Sequence, residues 1–205
     1  MEIKVFPLGE MAANAYLLSS GGEAVVIDPA DEGGFLAEKI LQKNLQLKYI
    51  LATHGHFDHL LGLLELKLAF KNIPFLMSGK DVPILRRHMP TAAHFLGRKV
   101  DPAPLPDAFF SDGEIINVGE ELLKVITTPG HTPGSVCFSG DGIIFTGDTI
   151  FAEGAVGRTE FLGSSRQELE ESIKNKLLGL PPETVVYPGH GPETTIGEFK
   201  ESFKA

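Results

Sequence analysis

Three of the seven histidines of this chain lie within six residues of one another, and an aspartate lies among them. They occur in the segment Thr53-His54-Gly55-His56-Phe57-Asp58-His59. Imidazole and carboxylate groups are the usual ligands of zinc and other divalent transition metals. Four donors this close in sequence cannot all face one tetrahedral ion. The cluster therefore predicts two ions, or one ion with a supporting network of hydrogen bonds.

Three later residues share one local pattern: a short apolar strand, then turn residues, then a metal-binding side chain. They are His131 in a Pro- and Gly-rich turn, Asp148 after the run 143–146, and His190 after the run 185–187. Each could instead be an ordinary turn or capping residue. Together with the first cluster they make seven donors, which are enough for two metal ions.

The elements that must position these donors follow from the hydrophobic pattern. The sequence predicts strands at 3–8, 15–19, 24–27, 49–52, 115–118, 122–126, 135–138, 143–146 and 185–187, the first three as a meander. It predicts helices at 35–43 and at 60–70, and the second of these should be buried because it is apolar on most sides. A third helix should begin at a Ser165–Glu168 capping box and end at Gly179, and a fourth should begin at about 197. Between 81 and 106 we expect two short helices separated by a break at Pro90 and followed by an extended connection. This order suggests a two-sheet core with helices outside, in a single domain spanning 1–205.

The composition limits the classes of function. The chain has 205 residues and a net charge of −9, which makes it a poor candidate for binding nucleic acid or an anionic membrane. Cys137 is the only cysteine, so an intramolecular disulfide and a thiolate zinc cage are excluded, and we expect it to pack in a strand. We see no signal peptide or membrane-spanning run, and expect a soluble, cytoplasmic protein.

The order of the donors resembles that of the metallo-β-lactamase-fold hydrolases: His54-x-His56-x-Asp58-His59, then His131, Asp148 and His190. The similarity covers nearly the whole chain, including Asn14-x-Tyr16-Leu17-Leu18 and Val25-Val26-Ile27-Asp28-Pro29. The segments 147–151 and 157–161 are most similar to small glyoxalase II-like enzymes. The resemblance implies an α+β fold, a four-layer αββα sandwich with the metal site at one edge between the two sheets.

The resemblance also implies roles for the donors. His54, His56 and His131 would hold one metal ion, Asp58, His59 and His190 would hold the other, and Asp148 would bridge both. The implied cofactors are two divalent ions, with zinc as the first expectation and iron or manganese as the others. The implied reaction is hydrolysis of a small anionic, glutathione-type thioester by a metal-bound hydroxide that Asp58 orients. Glu160 stands where relatives usually have Asp, and glyoxalase II carries a further helical domain that helps to bind glutathione. The acyl group and the thiol therefore stay open.

Some candidate residues lie outside the donor set. Asp28 is either an acceptor for the N–H of a ligand histidine or a plain turn residue before Pro29. A basic run without acids consists of Arg86, Arg87, His88, His94, Arg98 and Lys99. This run is either a solvated helical face or a lid that attracts anions over the cleft. Arg158 either binds a substrate carboxylate in bidentate fashion or forms a structural ion pair. We therefore take Arg158, Arg86 and Arg87 as the predicted substrate-binding residues.

Other functions remain open from the sequence. A persulfide dioxygenase with the same fold would use one iron held by His54, His131 and Asp148. The fold could also serve a hydrolase of another ester or a lactone, and a metal-stabilised binding module is the non-enzymatic alternative. Seven donors disfavour that module, because structural sites close with four.

Overall fold

The computed structural model describes residues 1–161 and 163–203, and its first half forms a six-stranded sheet in the order β1-β2-β3-β4-β5-β6. The strands are β1 (Glu2–Leu8), β2 (Ala13–Ser20), β3 (Glu23–Ile27), β4 (Gln46–Leu51), β5 (Phe75–Met77) and β6 (Ala108–Phe109). The first three are antiparallel, as the meander predicts. From β3 to β6 the neighbours are parallel, so their carboxyl ends share one edge.

The second half forms another six-stranded sheet, in the order β12-β11-β10-β9-β8-β7. Its strands are β7 (Ile115–Val118), β8 (Glu121–Thr127), β9 (Val136–Gly140), β10 (Ile143–Gly147), β11 (Val185–Pro188) and β12 (Thr194–Thr195). Strands β7 to β10 are antiparallel, and β10 pairs in parallel with β11.

Six α-helices connect these strands in the described ranges 1–161 and 163–203. They are α1 (Gly33–Gln42), α2 (Leu63–Ala69), α3 (Val82–Leu85), α4 (His88–Leu96), α5 (Arg166–Ser172), which continues as a π-helical turn (Ile173–Leu177), and α6 (Ile196–Ser202). Within the same ranges, every helix is too short or too polar to cross a membrane.

The strands alternate their side chains between two apolar layers, which produces the sandwich. In β2, Leu17 points to the layer shared with α1 and α2, whereas Leu18 points to the layer between the sheets. In β9, Phe138 fills that central layer and Cys137 packs with α5 and α6 on the far side. Each large apolar side chain buried in this way contributes roughly 1.5–3 kcal/mol. Three apolar layers separate four layers of structure, so the predicted αββα sandwich is confirmed.

Two predictions on helices are wrong. The break falls at Arg86 and Arg87 and not at Pro90, which lies in the first turn of α4. Proline is tolerated there because its missing N–H would have no partner inside the helix. The helix expected over 60–70 begins at Leu63 and is not buried on most sides, since Leu68 is 70% exposed.

The helix ends also differ from the expected ones. Ser165 caps α5 by accepting a hydrogen bond from the Glu168 backbone N–H at 3.3 Å, but among the described residues the return bond of a capping box is not formed there. The complete capping box opens α6, between Thr195 and Glu198. This box starts α6 at Ile196, close to the expected position.

Candidate metal centre

The seven predicted donors converge at one edge of the sandwich, because each follows the end of a strand that points to this edge. The segment 54–59 follows β4, and its second part is a 3₁₀ turn over Phe57–His59. His131 follows β8, Asp148 follows β10 and His190 follows β11. The first sheet thus supplies four donors and the second sheet supplies three.

Six of the seven predicted donors form two groups of three, and Asp28 forms a third such group with His54 and His59. Within each group the atoms lie within 4.8 Å of one another; the two groups of predicted donors are His54, His56 and His131, and Asp58, His59 and His190. Asp148 lies between these two groups. Its Oδ2 is 3.5 Å from His131 Nε2 in the first group, and its Oδ1 is 3.5 Å from His59 Nε2 in the second. The arrangement offers two neighbouring sites for cations with one carboxylate between them.

Asp28 orients one histidine of each group. Its Oδ2 accepts hydrogen bonds from His59 Nδ1 at 3.0 Å and from the Thr53 hydroxyl at 2.6 Å. The Thr53 hydroxyl in turn accepts from His54 Nδ1 at 3.0 Å. Both imidazoles therefore turn Nε2 towards the centre. The expectation that Asp28 accepts a histidine N–H is confirmed, and its occupied oxygens make it a support for the donors.

Several donor atoms have no partner inside the protein. His54 Nε2, His59 Nε2 and Asp148 Oδ1 are buried and without a hydrogen-bond partner in the described part of the chain. Unpaired buried polar atoms are rare because each loses its hydration without compensation. Here they converge on one space, where a cation would satisfy them. The donor set therefore fits divalent metal ions.

Glycine at position 189 keeps this space open. A Cβ atom there would lie 2.8 Å from His59 Cε1 and would overlap Asp148 Oδ1. A larger residue would have to displace two of the donors. On the opposite side, His131 Nδ1 donates to the Arg158 carbonyl at 2.8 Å, which fixes its Nε2 towards the centre.

The protonation states of three donors, His54, His56 and Asp148, suit metal binding. Burial lowers the pKa of His54 well below its usual range and that of His56 to about 4, so both imidazoles are neutral, the form that binds metals. Burial opposes a charge on Asp148, but His59 and other nearby imidazoles hold its pKa well below the usual range. The carboxylate stays ionised inside the protein, which attracts a cation. Burial lowers the pKa of His59 and His190, but nearby carboxylates outweigh it and raise both values, so these two imidazoles would release a proton when a metal ion binds.

A cavity of about 300 Å³ opens onto the donors. Its floor includes His56, Asp58, His131, Asp148 and His190. Its walls are mainly apolar: Met11, Phe57, Phe95, Phe151, Val156 and Phe161. The rings of Phe57 and Phe95 stack with centroids 5.7 Å apart. The cavity can therefore hold a small organic molecule against the donors.

The comparison with known proteins agrees with this geometry. The sequence profile of the family described as "Metallo-beta-lactamase superfamily" matches residues 8–190, from the end of β1 to the last donor. The chain belongs to the metallo-beta-lactamase superfamily. Its membership and its two groups of donors make it a metal-dependent hydrolase of that superfamily.

Two curated members of the superfamily match over almost their whole length. Hydroxyacylglutathione hydrolase GloC of Haemophilus influenzae is 34% identical, covering 98% of this chain and 96% of its own. The probable metallo-hydrolase YqgX of Bacillus subtilis is also 34% identical, covering 96% of this chain and 93% of its own.

Solved structures of superfamily members superpose closely. BLEG-1 B3 metallo-beta-lactamase has a TM-score of 0.89 at 33% identity, covering 98% of this chain and 97% of its own. TTHA1623, solved in a di-iron-bound form, has a TM-score of 0.87 at 35% identity, covering 98% of both chains. ETHE1 from Myxococcus xanthus has a TM-score of 0.81 at 26% identity, covering 98% of this chain and 83% of its own. Members this similar in fold carry different names, so the fold alone does not assign the substrate.

The predicted substrate-binding arginines occupy three different places in this superfamily fold. Arg158 lines the cavity, with its guanidinium carbon 4.7 Å from the centroid of the Phe161 ring. Arg87 lines a neighbouring cavity. Arg86 is exposed and lines neither of the two. In the same basic run, Arg98 pairs with Asp31 at 3.2 Å and Glu10 at 3.4 Å, as a solvated face would.

Sequence reasoning missed Asp81, which ties two donor loops of the superfamily fold together. Its Oδ2 accepts from the Gly55 backbone N–H at 2.8 Å and from the Thr132 hydroxyl at 2.7 Å. Its Oδ1 accepts from the Gly134 N–H at 2.7 Å. A single aspartate among apolar and basic residues carries no motif, and these partners lie far away in sequence. Only the fold identifies its role.

Proposed function

We propose that the protein is a binuclear metal-dependent thioesterase, similar to glyoxalase II, that hydrolyses small anionic thioesters. The observation that carries the proposal is the position of Asp148 between two complete groups of three donors, 3.5 Å from a histidine of each. One carboxylate shared in this way is the arrangement expected for two ions that act together. Zinc is the first candidate, and iron or manganese would fit the same nitrogen and oxygen donors.

Two divalent ions held by these residues would lower the pKa of a bound water to about 7 and polarise the carbonyl of the substrate. The protein's own groups provide orientation. Asp58 Oδ2 lies 3.3 Å from His190 Nε2 and Asp58 borders the cavity, so its carboxylate can accept a hydrogen bond from water at this position and orient it. Asp28 and the Arg158 carbonyl hold the imidazoles of His59 and His131 in fixed orientations.

The substrate class rests on the cavity and on a relative. The apolar walls suit a hydrocarbon portion, and the guanidinium of Arg158 can bind a carboxylate. GloC, which is named a hydroxyacylglutathione hydrolase, supports a thioester with an anionic thiol. BLEG-1 is named a beta-lactamase, which keeps other acyl compounds, including esters and lactones, as test substrates.

A second candidate is the persulfide dioxygenase, in which a single iron would be held by His54, His131 and Asp148. The observation that favours it is the superposition with ETHE1 from Myxococcus xanthus, at a TM-score of 0.81 and 26% identity. The di-iron-bound form of TTHA1623 adds only that iron belongs to the metals that this fold accepts. The dioxygenase would leave Asp58, His59 and His190 without a metal. Metal stoichiometry therefore separates the two candidates.

Elemental analysis of the purified protein, combined with two assays, tests the proposal. We expect two metal ions per chain, hydrolysis of lactoylglutathione, and no oxygen consumption with glutathione persulfide. One iron per chain together with oxygen consumption would favour the dioxygenase. Hydrolysis of a lactone or β-lactam, with thioesters left intact, would contradict the substrate class but not the metal centre.

A further inference from the structure

A second cavity of about 540 Å³ lies beside the first, and we call it the side cavity. The two cavities share His56, Thr91 and Phe161, so the side cavity reaches the group of donors that contains His56. Its remaining wall includes Lys80, Pro83, Ile84 and Arg87. A molecule bound at the donors can therefore extend past Phe161 into the side cavity.

The sequence from 80 to 92 turns one defined face towards the side cavity. Four residues of that wall, taken from the turn before α3, from α3, from the break and from α4, are spaced four, three and four apart: Lys80, Ile84, Arg87 and Thr91. The neighbouring face is buried with the same spacing: Asp81, Leu85, His88 and Ala92. The hydrogen bonds that the Asp81 carboxylate accepts from the Gly55 and Gly134 backbone N–H groups fix the rotation of this segment. The direction of Lys80 and Arg87 is thus set by the fold.

The charges of Lys80 and Arg87 are not compensated by the protein. Neither has a carboxylate within 4.0 Å in the ranges 1–161 and 163–203, and no acidic residue of these ranges lines the side cavity. Arg98, in the same basic run, is paired with two acids. In a chain with a net charge of −9, two uncompensated cations beside an apolar wall create a local site for anions.

We propose that the side cavity is an anion-binding subsite, in which Lys80 and Arg87 hold a carboxylate or phosphate group of the substrate that is remote from the bond cleaved. The apolar wall formed by Pro83 and Ile84 would contact the chain that joins this group to the reacting carbonyl. The subsite rests on the proposed function only for the identity of that reacting bond. It differs from the Arg158 position, which lies in the main cavity.

A charge-matched pair of variants tests the subsite. The test variant carries Lys80→Gln and Arg87→Gln, and the control carries Lys71→Gln and Lys124→Gln, which removes two exposed charges elsewhere. The probes are two thioethers that cannot be hydrolysed: S-hexylglutathione, with carboxylates, and S-hexyl-coenzyme A, with phosphates. Isothermal titration measures their affinity for each metal-loaded protein. We expect the test variant to lose about tenfold or more in affinity for one probe or both, and the control to match the wild type.

Kinetics with three thioesters extend the test. For lactoylglutathione or acetyl-coenzyme A, KM should rise about tenfold in the test variant, while the neutral N-acetylcysteamine thioester keeps its KM. Loss confined to the glutathione compounds identifies a carboxylate, and loss confined to the coenzyme A compounds identifies a phosphate. Added salt should reduce the difference between wild type and test variant.

The outcomes separate the two proposals. Equal affinities of wild type and test variant for both thioethers, or no binding of either to the wild type, would overturn the subsite. If the wild type cleaves none of the thioesters, the proposed function fails. In that case the titration still decides whether the side cavity binds anions.

Discussion

The carboxylate of Asp28, which follows β3, accepts a hydrogen bond from His59 Nδ1 at 3.0 Å. His59 lies in the 3₁₀ turn that comes after the neighbouring strand β4. The same oxygen of Asp28 receives the Thr53 hydroxyl, through which it also supports His54. Two histidines from different donor groups thus depend on one buried acid. Its influence on metal binding should exceed that of any exposed carboxylate.

We predict that Asp28→Asn weakens metal binding by about 10–100-fold, because the amide cannot accept all of these hydrogen bonds with the strength of a carboxylate. Competition with a chelator measures the affinity, and a circular dichroism spectrum checks the fold. Asp141→Asn, in the exposed turn between β9 and β10, is the control and should bind metal like the wild type. Unchanged affinity of Asp28→Asn would refute the role of Asp28.

We predict that Asp148→Asn reduces hydrolysis far more than it reduces thermal stability. The change removes the one negative charge that lies between both donor groups, so the second metal ion should be lost or bound weakly. Turnover, metal content and the melting curve should be measured on the same sample. Near-normal turnover at full metal occupancy would show that Asp148 is not the bridging residue.

We predict that Asp81→Ala lowers the free energy of unfolding of the metal-free protein by roughly 3 kcal/mol, because three buried donors lose a charged acceptor. Urea titration measures this quantity. In the metal-loaded protein, kcat should also fall, since Asp81 holds the loops of His56 and His131 in register. A variant with wild-type stability and kcat would contradict this assignment.

Acid should weaken the hydrogen bonds between Asp112 and Thr127, the last residue of β8 before the His131 loop. Hydrogen bonds from the Thr127 backbone and hydroxyl lower the pKa of Asp112, although partial burial opposes the shift. A carboxyl whose pKa is lower in the folded state stabilises the fold above its unfolded pKa, near 4, and this stabilisation is lost as pH falls below that value. Comparing Asp112→Asn with the wild type at pH 5.5 and pH 3 should show a smaller acid effect in the variant. An equal loss of stability in acid for both proteins would show that Asp112 does not contribute to it.

Removal of metal should lower the melting temperature as well as abolish activity. Ligands that bind only the native state stabilise it, and here the donors come from both sheets. Dialysis against a chelator followed by a thermal melt measures the change, and adding back zinc should restore both properties. A metal-free protein that melts at the metal-loaded temperature would show that the donors are already stable without ions.

The convergence of the seven predicted donors at one edge could be anticipated from the sequence because their pattern is local. Four of them lie within six residues of the chain, and the others follow strands that are strongly apolar. The same local reasoning places the first three strands and all four strands from β7 to β10 within two residues of their observed ends. Candidate metal ligands that follow strands can therefore be recognised from the sequence before any tertiary contact is known.

What the sequence missed depends on contacts between distant segments. Strand β5 has only three residues, too few for a recognisable pattern in the sequence. It is defined by its pairing with β4 and β6, which are distant in the chain. Asp81 is recognisable only through Gly55, Thr132 and Gly134. In the basic run, Arg87 and Arg98 look alike in sequence, but one lines a cavity and the other pairs with acids. Net charge and spacing cannot separate them.

Each of the two groups of predicted donors takes two residues from the first sheet and one from the second. An ion bound to either of these two groups therefore joins the two halves of the chain, because neither half supplies all three of its donors. Unfolding that separates these edges must break the bonds between the ion and one of the two sheets, so the metal-loaded protein should unfold more slowly than the metal-free protein. The supply of metal in the cell would then govern how long each molecule stays folded as well as whether it is active.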